Sequence, residues 1–129
     1  MAAGDVAAFN DAGRTLFSLG LVRGSEGNLS TWDGARLVIT RAGSRLFELA
    51  DGDVLEGSLD DPPADASSDV SLHVSMYREA GAGAVAHAHP PGTVPEGWVE
   101  GQPHGRYAHA PSLAEAVERI VADARTGAA

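Results

Sequence analysis

The segment NLSTWDGARLVIT, residues 28–40, constrains the fold more tightly than any other part of the chain. Apolar and β-branched residues flank Asp33-Gly34 on both sides, the pattern of two strands. Asp-Gly is a dipeptide that favours a tight hairpin turn, so these strands are expected to pair antiparallel and to seed a sheet.

The rest of the chain supplies elements to cover that sheet. Upstream, Val6, Phe9, Leu16 and Leu19 recur at roughly helical spacing between Asp5 and Leu19, and Gly20 offers a stop. Downstream, Ser44 is placed to cap a short helix reaching Leu49, and Val54-Leu55 reads as a brief strand. The Asp- and Pro-rich SLDDPPADA (58–66) is a loop. Ser67 and Ser68 precede DVSLHVSMYREAG (69–81), where Val70, His73, Met76 and Tyr77 fall on adjacent helical turns and Gly81 ends the run. AGAVAHAH (82–89) reads as a buried strand, and the Pro- and Gly-rich residues after it as irregular chain. A strand near Arg106–His109 and a helix from Ser112, where SLAE forms a capping box, complete the pattern. Alternating helices and strands favour an α/β sandwich over an all-helical bundle.

Length and charge narrow the function classes. A chain of 129 residues suits one domain, 1–129. Its 18 acidic and 9 basic residues give a net charge of -9, which argues against nucleic-acid or anionic-membrane binding, because both need clustered Lys and Arg. A phosphorylated substrate would then need a local positive site. With no cysteine, disulfides and thiolate metal ligands are excluded. No basic-then-apolar leader opens the sequence and no apolar run approaches the ~20 residues of a membrane span, so a soluble cytoplasmic protein is expected.

The chemistry-bearing residues gather around AVAHAHPPG (84–92). In a strand, side chains at i and i+2 share a face with Cα atoms about 6.5–7 Å apart, so His87 and His89 can reach one divalent ion. Two imidazoles alone also suit a solvated or hydrogen-bonded pair. Asp69 and His73 lie one helical turn apart and share a face, although Asp69 is equally placed as an N-terminal cap. His104 precedes Gly105 at the start of the last strand, whereas His109 is read as structural or solvent-facing. Tyr77 and Tyr107 occupy positions that suit packing better than catalysis.

Taken in order, these segments resemble the class II aldolase/adducin family. EGNLS (26–30) is similar to its glycine-asparagine substrate loop, and LVITRAGSRLFEL (37–49) to the strand, turn and short helix that follow. SSDVSLHVSMYRE (67–79) resembles the segment with the family's acid residue, AVAHAHP (84–90) its HxH strand, and HGRYAHAPSLAEAVERIVADA (104–124) its His-Gly strand and closing helix. Only 14 residues separate the HxH and His-Gly motifs, where family enzymes carry further strands and a helix, so the resemblance is to a miniature member.

That resemblance implies a three-layer α/β/α sandwich with a mostly antiparallel central sheet, trimmed in the middle. It implies His87, His89 and His104 as imidazole ligands of a divalent metal, usually zinc, with Asp69 at the carboxylate position as ligand and acid/base. An aspartate after Ser-Ser matches the epimerase-like branch, whereas family aldolases usually carry glutamate there. Gly27, Asn28, Gly43, Ser67 and Ser68 match positions that hold substrate phosphate. Arg41 stands where proline is frequent and Ala42 where threonine is common, so Arg41 would supply charge in place of a hydroxyl.

The implied activity is a metal-dependent carbon-carbon lyase acting on a small sugar phosphate through a zinc-stabilised enediolate. Epimerase or decarboxylase chemistry, or a non-catalytic adducin-like interaction module, are the alternatives. A homo-oligomer is expected, since a trimmed sheet leaves an edge to cover.

Overall fold

The computed structural model describes residues 3–90 and 105–125. Segment 91–104, which includes His104 and most of the stretch expected to be irregular, lies outside the described residues.

The hairpin forms as β1 (Asn28–Trp32) and β2 (Leu37–Thr40), paired antiparallel with Trp32 opposite Leu37. The Asp33 N–H donates to the Arg36 carbonyl at 3.3 Å, so Gly34 and Ala35 form the tip, one position on from the expected Asp33-Gly34. The Asp33 carboxylate fastens the turn, its Oδ1 accepting the backbone N–H groups of Ala35 at 2.9 Å and Arg36 at 2.7 Å. Those donors also hold the Asp33 carboxyl below its ordinary range.

Three further strands complete the sheet: β3 (Val54–Gly57), β4 (Gly83–Ala88) and β5 (Arg106–Ala110). The order is β3-β2-β1-β4-β5, and every pair is antiparallel. The expected mostly antiparallel sheet is thus antiparallel throughout its described strands.

Helices α1 (Ala3–Ser18) and α3 (Leu113–Arg125) cover one face of the sheet, and α2 (Val70–Ala80) covers the other. Strand periodicity sorts the side chains between the layers. Leu29, Val38, Ala84, Ala86, Ala88, Ala108 and Ala110 meet Phe9, Leu16, Val117 and Ile120 in the larger core. The alternate positions Leu37 and Val85 meet Tyr77 of α2. The alanines of β4 and β5 give the helices close access to the sheet, while the α2 face receives the polar residues of the same strands.

Two helix ends behave as their sequences suggest. Past α1, Gly20 adopts φ 74°, and the bonds Leu21 N–H to Leu16 O (2.9 Å) and Gly20 N–H to Phe17 O (3.0 Å) close the last turn. At α3, Ser112 Oγ accepts the Glu115 N–H at 3.3 Å.

The helix expected from Ser44 to Leu49 is absent. That stretch is a series of turns. Ser44 Oγ turns back to donate to the Arg41 carbonyl at 2.7 Å instead of capping forward. At the far end, the Leu49 N–H donates to Asn10 Oδ1 at 2.7 Å and the Leu49 carbonyl accepts from Asn10 Nδ2 at 2.8 Å, so α1 captures backbone groups that a helix would have used.

Candidate functional site

Sheet register builds the site. Asn28 of β1 lies opposite His87 of β4, and His87 lies opposite Tyr107 of β5. These three residues form one cross-strand row on the α2 face. The Tyr107 ring stacks on the His87 ring, with centroids 3.8 Å apart and planes 9° from parallel.

The start of α2 brings in the carboxylate. Loop 65–67 is tied to the end of β2 by Ala42 N–H to Asp65 O (2.9 Å) and Ser67 N–H to Thr40 O (3.0 Å). Asp69 then takes the N-cap position, yet its side chain makes no capping bond. It points across to β1 and β4, where Oδ2 accepts from Asn28 Nδ2 at 2.8 Å and lies 2.9 Å from His87 Nδ1. Asp69 thus holds the N-cap position, as one reading of the sequence expects, while its carboxylate bonds to sheet residues instead of the helix's own N–H groups. The His87 bond, then the Asn28 bond, lower the Asp69 carboxyl far below the ordinary carboxylate range. An ionised Asp69 accepts a hydrogen bond from His87 Nδ1–H, and in the neutral ring that leaves Nε2 as the accepting nitrogen.

His89 lies one residue past β4, where its N–H donates to the Leu21 carbonyl at 2.8 Å. Its ring centroid is 4.7 Å from that of His87, so the HxH pair converges as the i, i+2 spacing implies. Gly105 faces both rings with its open Cβ position. At its φ of 93°, an added Cβ would lie 2.4 Å from the Ala88 carbonyl, 3.0 Å from His87 Nε2 and 3.3 Å from His89 Cδ2. The described residues contain no group of three His, Asp or Glu arranged as a metal cage. Of the four ligands that the resemblance implies, Asp69, His87 and His89 come together and His104 lies outside the described residues.

A polar cleft of about 170 Å³ opens beside Asp69 and His89. Gly27, Asn28, Arg41, Gly43, Ser67 and Ser68, all selected from sequence, line it. Gly27 has no room for a side chain, since an added Cβ would lie 2.7 Å from the His87 carbonyl oxygen. Ser44 and Glu26 also line the cleft, the latter with its carboxylate accepting the Arg23 N–H at 2.9 Å.

Two residues at the site escaped the sequence reading. Tyr107 was assigned to packing, but its buried hydroxyl has no hydrogen-bond partner among the described residues. Burial and the nearby Asp69 charge both raise its pKa, keeping the phenol protonated. His73 was placed beside Asp69 on one helix face. In the fold it is fully buried and reaches Asn28 Oδ1 with Nε2 and Ser30 Oγ with Nδ1, the latter at 2.6 Å. Desolvation, aided by His87, lowers the His73 pKa to about 3 and keeps the ring neutral. His109 is structural, as expected, with Nε2–H donating to the Gly81 carbonyl at 2.9 Å.

An antiparallel sheet between helical layers, with histidines at a strand end beside a serine- and glycine-lined cleft, makes this an α/β protein with a polar cleft beside its strand ends. Residues 7–102 match the Class II Aldolase and Adducin N-terminal domain. The chain belongs to the class II aldolase and adducin family.

Among its relatives is a methylthioribulose-1-phosphate dehydratase of Gluconobacter oxydans, 39% identical over 85 residues, covering 60% of this chain and 40% of the relative. A probable bifunctional methylthioribose-1-phosphate isomerase/methylthioribulose-1-phosphate dehydratase of Nocardia farcinica is 34% identical over 84 residues, covering 60% of this chain and 15% of that protein. The structure of an L-fuculose-1-phosphate aldolase from Thermus thermophilus superposes with a TM-score of 0.63 at 38% identity, over 70% of this chain and 48% of that one. YgbL from Klebsiella pneumoniae, at 20% identity, shares the fold with a TM-score of 0.75 over 94% of this chain and 86% of that one. The chain thus spans less than half the length of the two curated relatives and of the Thermus aldolase.

Proposed function

We propose that this protein is a metal-dependent carbon-carbon lyase acting on a small sugar phosphate. The observation that carries the reading is the convergence of Asp69, His87 and His89 at the edge of a cleft lined by Asn28, Ser67, Ser68 and Arg41.

The imidazoles of His87 and His89 suit a divalent ion such as zinc, whose remaining ligands would come from outside the described residues. Asp69 takes the Nδ1–H of His87, which leaves Nε2 as the ligating nitrogen, the arrangement in which a carboxylate orients a metal-bound imidazole. His89 stands beside it, and His104 is joined directly to Gly105, which faces both rings. Those residues would hold the metal, which when bound supplies Lewis-acid polarisation of a substrate carbonyl.

The chain's own groups do the rest. The Ser67 and Ser68 hydroxyls and the Arg41 guanidinium bind and orient the phosphate. Asn28 donates to Asp69 and fixes where its charge lies. Asp69, released from His87 and Asn28 as substrate enters the cleft, accepts a proton from a substrate hydroxyl as the adjacent C–C bond breaks, and the electron pair of that bond moves toward the carbonyl.

A second reading is dehydration of a ketose phosphate, favoured by the dehydratase similarity at 34% and 39% identity. Both reactions use the same polarised carbonyl and differ in the bond broken. The test reloads chelator-treated protein with Zn²⁺, measures bound metal, and incubates it with L-fuculose 1-phosphate and with methylthioribulose 1-phosphate. A stoichiometric ion with an aldehyde product supports the lyase, and loss of water from the second compound supports the dehydratase. Absence of bound metal, or of either product, overturns the proposal.

A further inference from the structure

We propose that His73 is a positioning residue, holding the Asn28 amide in one orientation and thereby fixing the ring tautomer that His87 presents at the site. The inference rests on the assignment of Asp69 and His87 to the site, and adds a role for a buried histidine that reaches the site only through Asn28.

The directions of the hydrogen bonds follow from one another. Asp69 is ionised and accepts only, so the Asn28 group facing it is the amide N–H. The Asn28 carbonyl then faces His73, which requires the hydrogen on His73 Nε2. A neutral ring with Nε2–H has an accepting Nδ1, so the Ser30 hydroxyl donates to it at 2.6 Å. Ser30 Oγ in turn accepts from Tyr77 Oη at 2.7 Å. Each member thus has a single satisfied role, from Tyr77 in the core to His87 at the cleft. His73, Ser30 and Tyr77 are buried to 0%, 0% and 1% exposure, so water is poorly placed to substitute for a missing partner.

With a nonpolar side chain at residue 73, the Asn28 carbonyl loses its interior donor, and only the Nδ2–H bond to Asp69 is left to orient the amide. A flipped amide would turn its oxygen toward the Asp69 carboxylate, and the pair would separate. His87 Nδ1–H then loses its fixed acceptor and the ring samples both tautomers. His73 therefore acts on the site through orientation, with no direct contact to His87 required.

The test uses the full chain, ¹⁵N-labelled and metal-free, read by long-range ¹H–¹⁵N spectra that report which ring nitrogen carries hydrogen. The unsubstituted protein is expected to show opposite tautomers, Nε2–H for His73 and Nδ1–H for His87. His73→Leu should give mixed tautomers at His87 and weaken Zn²⁺ binding about 10- to 100-fold, the range for loss of groups that orient metal ligands. His73→Gln, whose amide N–H can replace Nε2–H, should restore the single tautomer and most of the affinity. Hydrogen on Nδ1 of His73 in the unsubstituted protein overturns the proposal, as does an unchanged His87 tautomer in folded His73→Leu. If His73→Leu does not fold, the unsubstituted spectrum and His73→Gln still decide. Expected tautomers without any Zn²⁺ binding would support the positioning role and overturn the metal-dependent reading.

Discussion

Replacing Gly105 with alanine places a methyl group between the backbone of β4 and the two histidines at its end. The added Cβ would meet the Ala88 carbonyl at 2.4 Å and His87 Nε2 at 3.0 Å. Neither yields easily, because Ala88 is paired with Arg106 in the sheet and His87 is held by Asp69 and stacked on Tyr107. Two costs add. An L-residue in left-handed backbone at φ 93° costs about 1–2 kcal/mol, and forcing a methyl into packed surroundings costs about 1–3 kcal/mol more. Gly105→Ala should therefore lose about 2–5 kcal/mol.

Gly20→Ala separates the two contributions. Gly20 has φ 74°, but an added Cβ there meets nothing within 4 Å, so only the backbone cost of about 1–2 kcal/mol remains. Urea unfolding of both variants, analysed with a common m-value, measures the difference. Equal losses would falsify the argument that Gly105 is required by the histidines' proximity. Zn²⁺ titration of Gly105→Ala adds an independent reading, with weakened binding expected.

Three further outcomes follow from the site. A histidine with a pKa of about 3 in the fold and 6.5 unfolded stabilises fully above pH 6.5, and that stability is lost as pH falls toward 3; between pH 7.5 and 5 the loss is about 2 kcal/mol. Urea midpoints at the two pH values check this, and His73→Gln should flatten the trend. Tyr107→Phe removes a buried hydroxyl that has no hydrogen-bond partner among the described residues, so stability should hold or rise by up to about 1 kcal/mol, and a loss beyond that by thermal melting would show a further bond, with Asp69 the nearby charged group. Asp69→Asn removes the charged acceptor of His87 Nδ1–H and should weaken Zn²⁺ binding about 10- to 100-fold by titration; unchanged affinity would remove Asp69 from the orienting role.

Local chemistry made most elements legible in the sequence. Helical spacing of Val6, Phe9 and Leu16 gave α1, Ser112 marked the start of α3, and Gly81 ended α2. The missing helix at 44–49 failed for a nonlocal reason: Asn10, 39 residues from Leu49, takes its backbone groups. Among site residues, the HxH pair, Asp69 and the cleft residues carried motif signals. Tyr107 did not, because nothing local distinguishes a tyrosine that packs in a core from one that stacks on a site histidine.

The sequence by itself determined all the main strands and helices, though not the turns at 44–49, together with the alternation that gives each strand two faces and the family resemblance, since capping, turn chemistry and periodicity act over a few residues. Only the tertiary structure decided what those faces meet. The register of β1, β4 and β5 set Asn28, His87 and Tyr107 in one row, and the entry of α2 turned the Asp69 carboxylate from its own helix to His87. Register and layer packing couple residues far apart in the chain, 59 positions in the case of Asn28 and His87, and such couplings arise only once the chain has closed its sheet.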